Sequence, residues 1–217
     1  MKAVIIVLLL LSPLLVYAQD FVVGDHELLL MPTAHTMPAG NSYFTVYEVV
    51  LLNYVYAAGR NTHVGVFSFF PIVFEALETT TVGVKQNYYR GETFQSALFA
   101  SFTPKLPGYT LGNVVSVGKD RGSSFHAGIF YAFMDPDEPG EFFFMLGHRF
   151  DPSERVSIIM EYTNTSTAAG EGFNGLFTGG VRLRSSHMSW EIAGVRPLAF
   201  TGSLFLIPLL KATYYFH

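Results

Sequence analysis

Residues Glu141–Arg196 read EFFFMLGHRF, DPSE, RVSIIMEYTN, TSTAAGEGF, NGLFTGGVRLR, SS and HMSWEIAGVR: four strand-length segments separated by turn-like links. In the second segment Val156, Ile158, Met160 and Tyr162 fall on one face, with Ser157, Glu161 and Thr163 on the other. The third sets Phe177, Val181 and Leu183 against Thr178, Gly180, Arg182 and Arg184. The fourth sets Met188, Trp190 and Ile192 against His187, Ser189 and Glu191. Successive strand side chains point to opposite faces, so each segment has one apolar and one polar side. A soluble sandwich hides its apolar face and shows charge to water. Here the charges sit mid-strand and large aromatics recur on the apolar face. That pattern fits a barrel with lipid outside and a polar interior.

Working outward, alternation marks twelve strands from Asn41 onward, near 42–50, 53–59, 62–70, 78–89, 92–103, 108–118, 124–134, 140–150, 154–164, 174–184, 187–196 and 204–216. The links support this count. Gly59–Asn61, Arg90-Gly91, Lys119–Gly122, Asp151–Ser153 and Ser185-Ser186 are short and polar. Pro71–Leu77, Asp135–Pro139, Thr165–Phe173 and Pro197–Ser203 are longer, and Pro104–Pro107 is intermediate. Short periplasmic turns alternating with longer external loops are the habit of outer-membrane barrels. The expected fold is therefore all-β, an antiparallel transmembrane up-and-down barrel of about twelve strands. Ten remains the alternative, because the apolar Leu51-Leu52 link would let the first two segments form one bent strand. Most prolines fall in links, where no ladder hydrogen bond is lost, but Pro208 sits inside the last segment and needs a bulge or the strand's outer end.

The composition agrees. The 217 residues are 50% hydrophobic and 14% charged, against a usual charged share of about 25%. Twelve Tyr and 21 Phe suit interfacial girdles. The net charge of −4 argues against nucleic acid, which a basic surface announces. With no cysteine there is no disulfide, metal thiolate or thiol nucleophile. Met1–Ala18 has a basic Lys2, an apolar Ala3–Leu11 core, Pro13, and a Val16-Tyr17-Ala18 cleavage site, as a secretory signal peptide does. Residues 19–40 form a lead-in of three possible placements (periplasmic mouth, lumenal plug, or leader), and 41–217 the barrel.

Leu204–His217 alternates and ends on the penultimate aromatic Phe216. It resembles the C-terminal strand by which bacterial outer-membrane barrels are recognised for assembly. Met31-Pro32-Thr33-Ala34 followed by Gly40 resembles small uncharacterised outer-membrane barrel proteins of Gram-negative bacteria. This resemblance implies an outer-membrane location, contact with membrane lipid and the barrel assembly machinery as partner. It brings no activity with it.

Alternation places Glu48, Lys85, Arg149, Glu161, Arg182, Arg184, Glu191 and Lys211 on the inner wall. Two readings stand: a packed ion-pair network, or a water-filled constriction with a positive excess that favours anions. His187, Ser189 and Glu191 share one face, the set that an outer-membrane lipid hydrolase needs. Same-face neighbours sit roughly 7 Å apart along a strand, and this set follows a short turn, away from the outer leaflet. His26, His35, His63, His126, His148 and His217 lack metal-ligand spacing. Asp135–Gly140 carries too few fixed oxygens for calcium. The expectation is a small passive channel or structural envelope barrel, with no cofactor, metal or catalytic residue. A lipid hydrolase and a secreted soluble β-sandwich are the alternatives.

Overall fold

The computed structural model describes residues 23–70, 79–104, 108–118, 122–133, 140–164, 175–198 and 206–216. Met1–Ala18, the expected signal peptide, Gln19–Val22, most of the longer links and His217 lie outside them. Twelve strands form in chain order: β1 Ser42–Tyr47, β2 Leu51–Gly59, β3 Thr62–Phe69, β4 Thr81–Arg90, β5 Phe94–Thr103 and β6 Gly108–Gly118. They continue as β7 Ser123–Phe133, β8 Glu141–Ser153, β9 Val156–Asn164, β10 Gly175–Arg184, β11 Met188–Pro197 and β12 Ile207–Phe216. Each pairs antiparallel with its sequence neighbour, and β1 closes on β12 from Ser42↔Phe216 to Tyr47↔Lys211. Closure leaves no unpaired sheet edge, the condition for a sheet that crosses lipid. No helix occurs among the described residues.

The two-residue period decides which way each side chain faces. On the outside, Trp190 is 55% exposed and Ile192 64%, and Leu98, Ile129, Leu146 and Leu210 are exposed with them. A monomer in water rarely exposes an apolar surface of this extent, whereas a bilayer covers it. Aromatic rings gather at both ends of this belt. Phe102 stacks on Tyr109 at 4.9 Å near the longer links, and Tyr89 packs against Phe94 at 5.6 Å near the short turns.

Several boundaries differ from the alternation reading. The first two strands are separate: β1 stops at Tyr47 because Glu48 and Val49 adopt φ of 49° and 64°, which turns the chain at 48–50. Ten strands are thereby excluded. β8 continues through Asp151 and Pro152 to Ser153, with irregular register between Phe150 and Ser153, so the β8–β9 turn is only Glu154-Arg155. Pro197 ends β11, and Pro208 is the second residue of β12, near the longer links. Neither needs a place in mid-ladder.

Candidate functional site

Residues 23–41 run through the lumen. Gly24 and Gly40, with φ of 96° and 90°, supply left-handed bends at the two ends of this segment. Between them the chain doubles back on itself. Leu28 N–H donates to the Met31 carbonyl at 2.8 Å, and Thr33 N–H to the His26 carbonyl at 3.2 Å. The tip of this turn, Leu28, Leu29 and Met31, is fully buried against Val114, Phe130, Met145, Ile159, Ala193 and Leu209. Gly147 leaves the wall bare beside it, since a Cβ there would run into Leu28 Cδ1.

Before Gly40 this segment has no strand alongside it, yet its backbone polar groups lie at membrane depth and must be satisfied. Wall side chains do so. Lys85 Nζ donates to the carbonyls of His26, Thr33 and His35 at 3.0, 3.1 and 2.7 Å. Lys211 Nζ donates to those of Leu28 and Leu29 at 2.9 and 3.2 Å. Arg182 donates to the carbonyls of Gly24, Glu27 and Leu28. The Glu161 carboxylate accepts the N–H groups of Leu30 and Met31 at 3.0 to 3.2 Å. Lower down, Asn87 donates to the Ala34 carbonyl, Ser116 Oγ accepts Ala34 N–H, and His63 Nε2 accepts Met37 N–H. Seven wall positions on β3, β4, β6, β9, β10 and β12 thus hold one irregular segment.

Charges pair through the same contacts. Arg182 Nε meets Glu191 Oε1 at 2.7 Å. Lys211 Nζ lies 2.8 Å from Glu27 and 3.2 Å from Glu191. Arg149 pairs with Asp25 and Asp151, and Arg184 lies 3.0 Å from Asp151 and 3.7 Å from Asp25. The wall presents Lys85, Arg149, Arg182, Arg184 and Lys211 against Asp151, Glu161 and Glu191, a formal excess of two positive charges. Asp25 and Glu27 of the lumenal segment cancel that excess. Burial lowers the pKa of His26 to about 4, against the opposing pull of Glu27. Burial, followed by repulsion from Arg149, lowers that of His35 to about 3. Both rings are therefore neutral at pH 7.

Of the inner-wall residues read from alternation, Lys85, Arg149, Glu161, Arg182, Arg184, Glu191 and Lys211 are buried within the barrel. Glu48 is a correction. It sits exposed in the β1–β2 turn, where its carboxylate accepts the N–H of Leu210, because the left-handed turn interrupts the alternation. The His187, Ser189 and Glu191 set is not assembled. His187 lies exposed in the β10–β11 turn with its ring on Ser186, whereas Ser189 and Glu191 are buried. Glu191 is taken up by Arg182 and Lys211, so it does not orient a histidine base. Among the described residues no cluster of three or more His, Asp or Glu is arranged to hold a metal. Asp25, Glu27 and Asp151 escaped sequence reading: the first two lie in a segment without period, the third in what reads as a turn.

No protein-family model and no curated protein sequence matches the chain. Solved structures do. The NanC porin superposes with a TM-score of 0.53 at 7% identity, over 82% of this chain and 99% of that one. A mutant Rh. blastica porin gives 0.46 at 7%, over 76% of this chain and 55% of that one. A BenF-like porin from Pseudomonas fluorescens Pf-5 gives 0.40 at 8%, over 80% and 58%. This chain thus spans little more than half the length of the two larger porins. The likeness to NanC extends along nearly the whole of that chain, and the fold is that of a porin-type barrel.

Proposed function

We propose that this protein is a porin-like outer-membrane channel whose lumen is closed by its own residues 23–41. The observation that carries this reading is Arg182, which holds one wall carboxylate and three carbonyls of the segment at once. A purely structural barrel can fill its interior with wall side chains, but this one uses a separate length of chain anchored by polar contacts. These polar contacts exchange for water when the segment leaves, so that only the tip, Leu28, Leu29 and Met31, gives up apolar packing. Cleavage of Met1–Ala18, export, and insertion through β12 by the barrel assembly machinery complete the reading. The apolar belt then lies in the outer membrane.

The test compares the full mature chain with a chain lacking residues 23–37 in planar bilayers. Residues 38–41 are kept because Gly40 and Asn41 pair with Ala57 of β2. The full chain is expected to stay mostly closed. The shortened chain should give steady steps with anion preference, set by the wall's excess of positive charge. Neutralising Arg149, Arg182 and Arg184 together should remove that preference. A folded, shortened barrel that passes no current would overturn the proposal.

A further inference from the structure

The lumenal segment does not fill the barrel evenly. Its tip leans on β8 through β12, through Gly147, Glu161, Arg182 and Lys211. Against the opposite wall, β1 to β5, a cavity of about 380 Å³ remains. Its floor is formed by His26, Glu27, His63 and Lys85, and it reaches Leu51, Thr81 and Ser101 at the end of the barrel where the longer links lie. Two glycines create it. Gly65 and Gly83 are cross-strand partners on the inner face of β3 and β4, so two adjacent wall positions carry no side chain.

We propose that this cavity binds a small, uncharged aromatic molecule with one or two hydrogen-bonding groups. Five observations fix that class. The volume lies in the lower part of the ~300–1,000 Å³ range of small-molecule sites. Its walls are rings and branched apolar side chains: Tyr43, Tyr47, Phe67, Phe99, Leu51 and Val55. Tyr47 and Phe67 already meet edge to face at 6.5 Å, the arrangement that accepts a further ring. The floor's charged groups have no hydrogen-bonding capacity to spare, because Lys85 uses its three N–H groups on carbonyls and the Glu27 carboxylate pairs with Lys211. A charged ligand would therefore lose its water and gain no counter-ion. Asn53, Thr81 and Ser101 supply the uncharged polar groups around the ring. The inference stands apart from channel activity, since a closed barrel holds the cavity as it is.

The probe is 4-fluorophenol, observed by fluorine NMR on the full barrel in detergent. Gly83→Leu fills the cavity from the wall. A Cβ at Gly83 meets nothing nearer than 3.5 Å, so the backbone accepts it, and its three nearest neighbours, Ala100, Ser101 and Phe99, all belong to β5 rather than to the lumenal segment. Ser101→Leu on the neighbouring strand serves as the second variant, and heat-modifiable migration on gels confirms that each is folded. Micelle partitioning is common to all three proteins and cancels. Saturable broadening is expected with the unaltered protein and a loss of at least ten-fold in affinity in both variants. Equal binding by all three would overturn the site. Tighter binding of 4-fluorobenzoate or 4-fluorobenzylamine than of 4-fluorophenol would overturn the ligand class.

Discussion

Arg182 on β10 and Glu191 on β11 are direct cross-strand partners, and their side chains meet at 2.7 Å, both fully desolvated. The carboxylate takes Nε and so turns the remaining guanidinium edge toward the lumenal segment, where three carbonyls accept from it. Pairing and clamping are thus one arrangement: the ion pair stiffens the wall and aims the donor fork inward.

Arg182→Asp should release the segment and damage folding far more than Arg60→Asp. The first leaves two carboxylates facing each other in a buried site, a loss of about 3–5 kcal/mol when one partner of a buried pair is removed. Arg60 lies exposed in the β2–β3 turn, where substitutions usually stay within about 0.5 kcal/mol. Urea midpoints in detergent measure the difference. Equal shifts would contradict the clamp.

Gly24→Ala should open the lumen without altering the wall. Gly24 has φ of 96°, and an added Cβ would stand 2.6 Å from Arg182 Nη1. Backbone strain and the clash both act against the seated segment. The expected sign is faster proteolysis within residues 23–41 while the barrel still migrates as folded.

Acid should loosen the segment. His26 and His35 have pKa values near 4 and 3 when seated, and near the ordinary 6.5 when released into water. The released state therefore binds more protons below 6.5, so the seated state keeps its full stability above that pH and loses it progressively toward 3. Arg149, Lys85 and Arg90 facing His35 oppose its charging further, whereas at His26 the neighbouring Glu27 partly offsets burial, with Lys85 and Lys211 acting against it. Proteolysis of residues 23–41 should rise from pH 7.5 to pH 4.5. Protection that increases on acidification would reverse the sign and refute the account.

Val49→Gly should stabilise the barrel. A β-branched residue in the left-handed region carries strain of about 1–2 kcal/mol, and Val49 is 74% exposed with φ of 64°, so little packing is lost. Slower unfolding in urea with unchanged current is the expected outcome.

The wall was legible because a two-residue period leaves no freedom: once Trp190 faces lipid, Ser189 and Glu191 must face inward. Link lengths pointed to the strand number as well, with the short β1–β2 turn at 48–50 as the exception to their alternation. Glu48 was misplaced because it lies in the turn where the period stops. The lumenal segment was only one of three options, because the backbone of residues 23–41 bonds to side chains scattered over six strands. Such pairing leaves no period in the segment itself. Gly65, Gly83 and Gly147 likewise read as ordinary strand glycines until the facing atoms are known.

The most direct measurement is a reversible lock on the lumenal segment. The chain has no cysteine of its own, so a Leu28→Cys, Gly147→Cys pair reacts alone. Replacing Leu28 removes the Cδ1 atom that a Cβ at 147 would meet, leaving room for the new bridge. Combined with Gly24→Ala to favour release, this protein is recorded in planar bilayers under reductant and then oxidant. The account predicts current under reductant, closure as the bridge forms, and recovery when it is reduced. Current that persists unchanged through a bridge verified on gels would contradict closure of the lumen by residues 23–41.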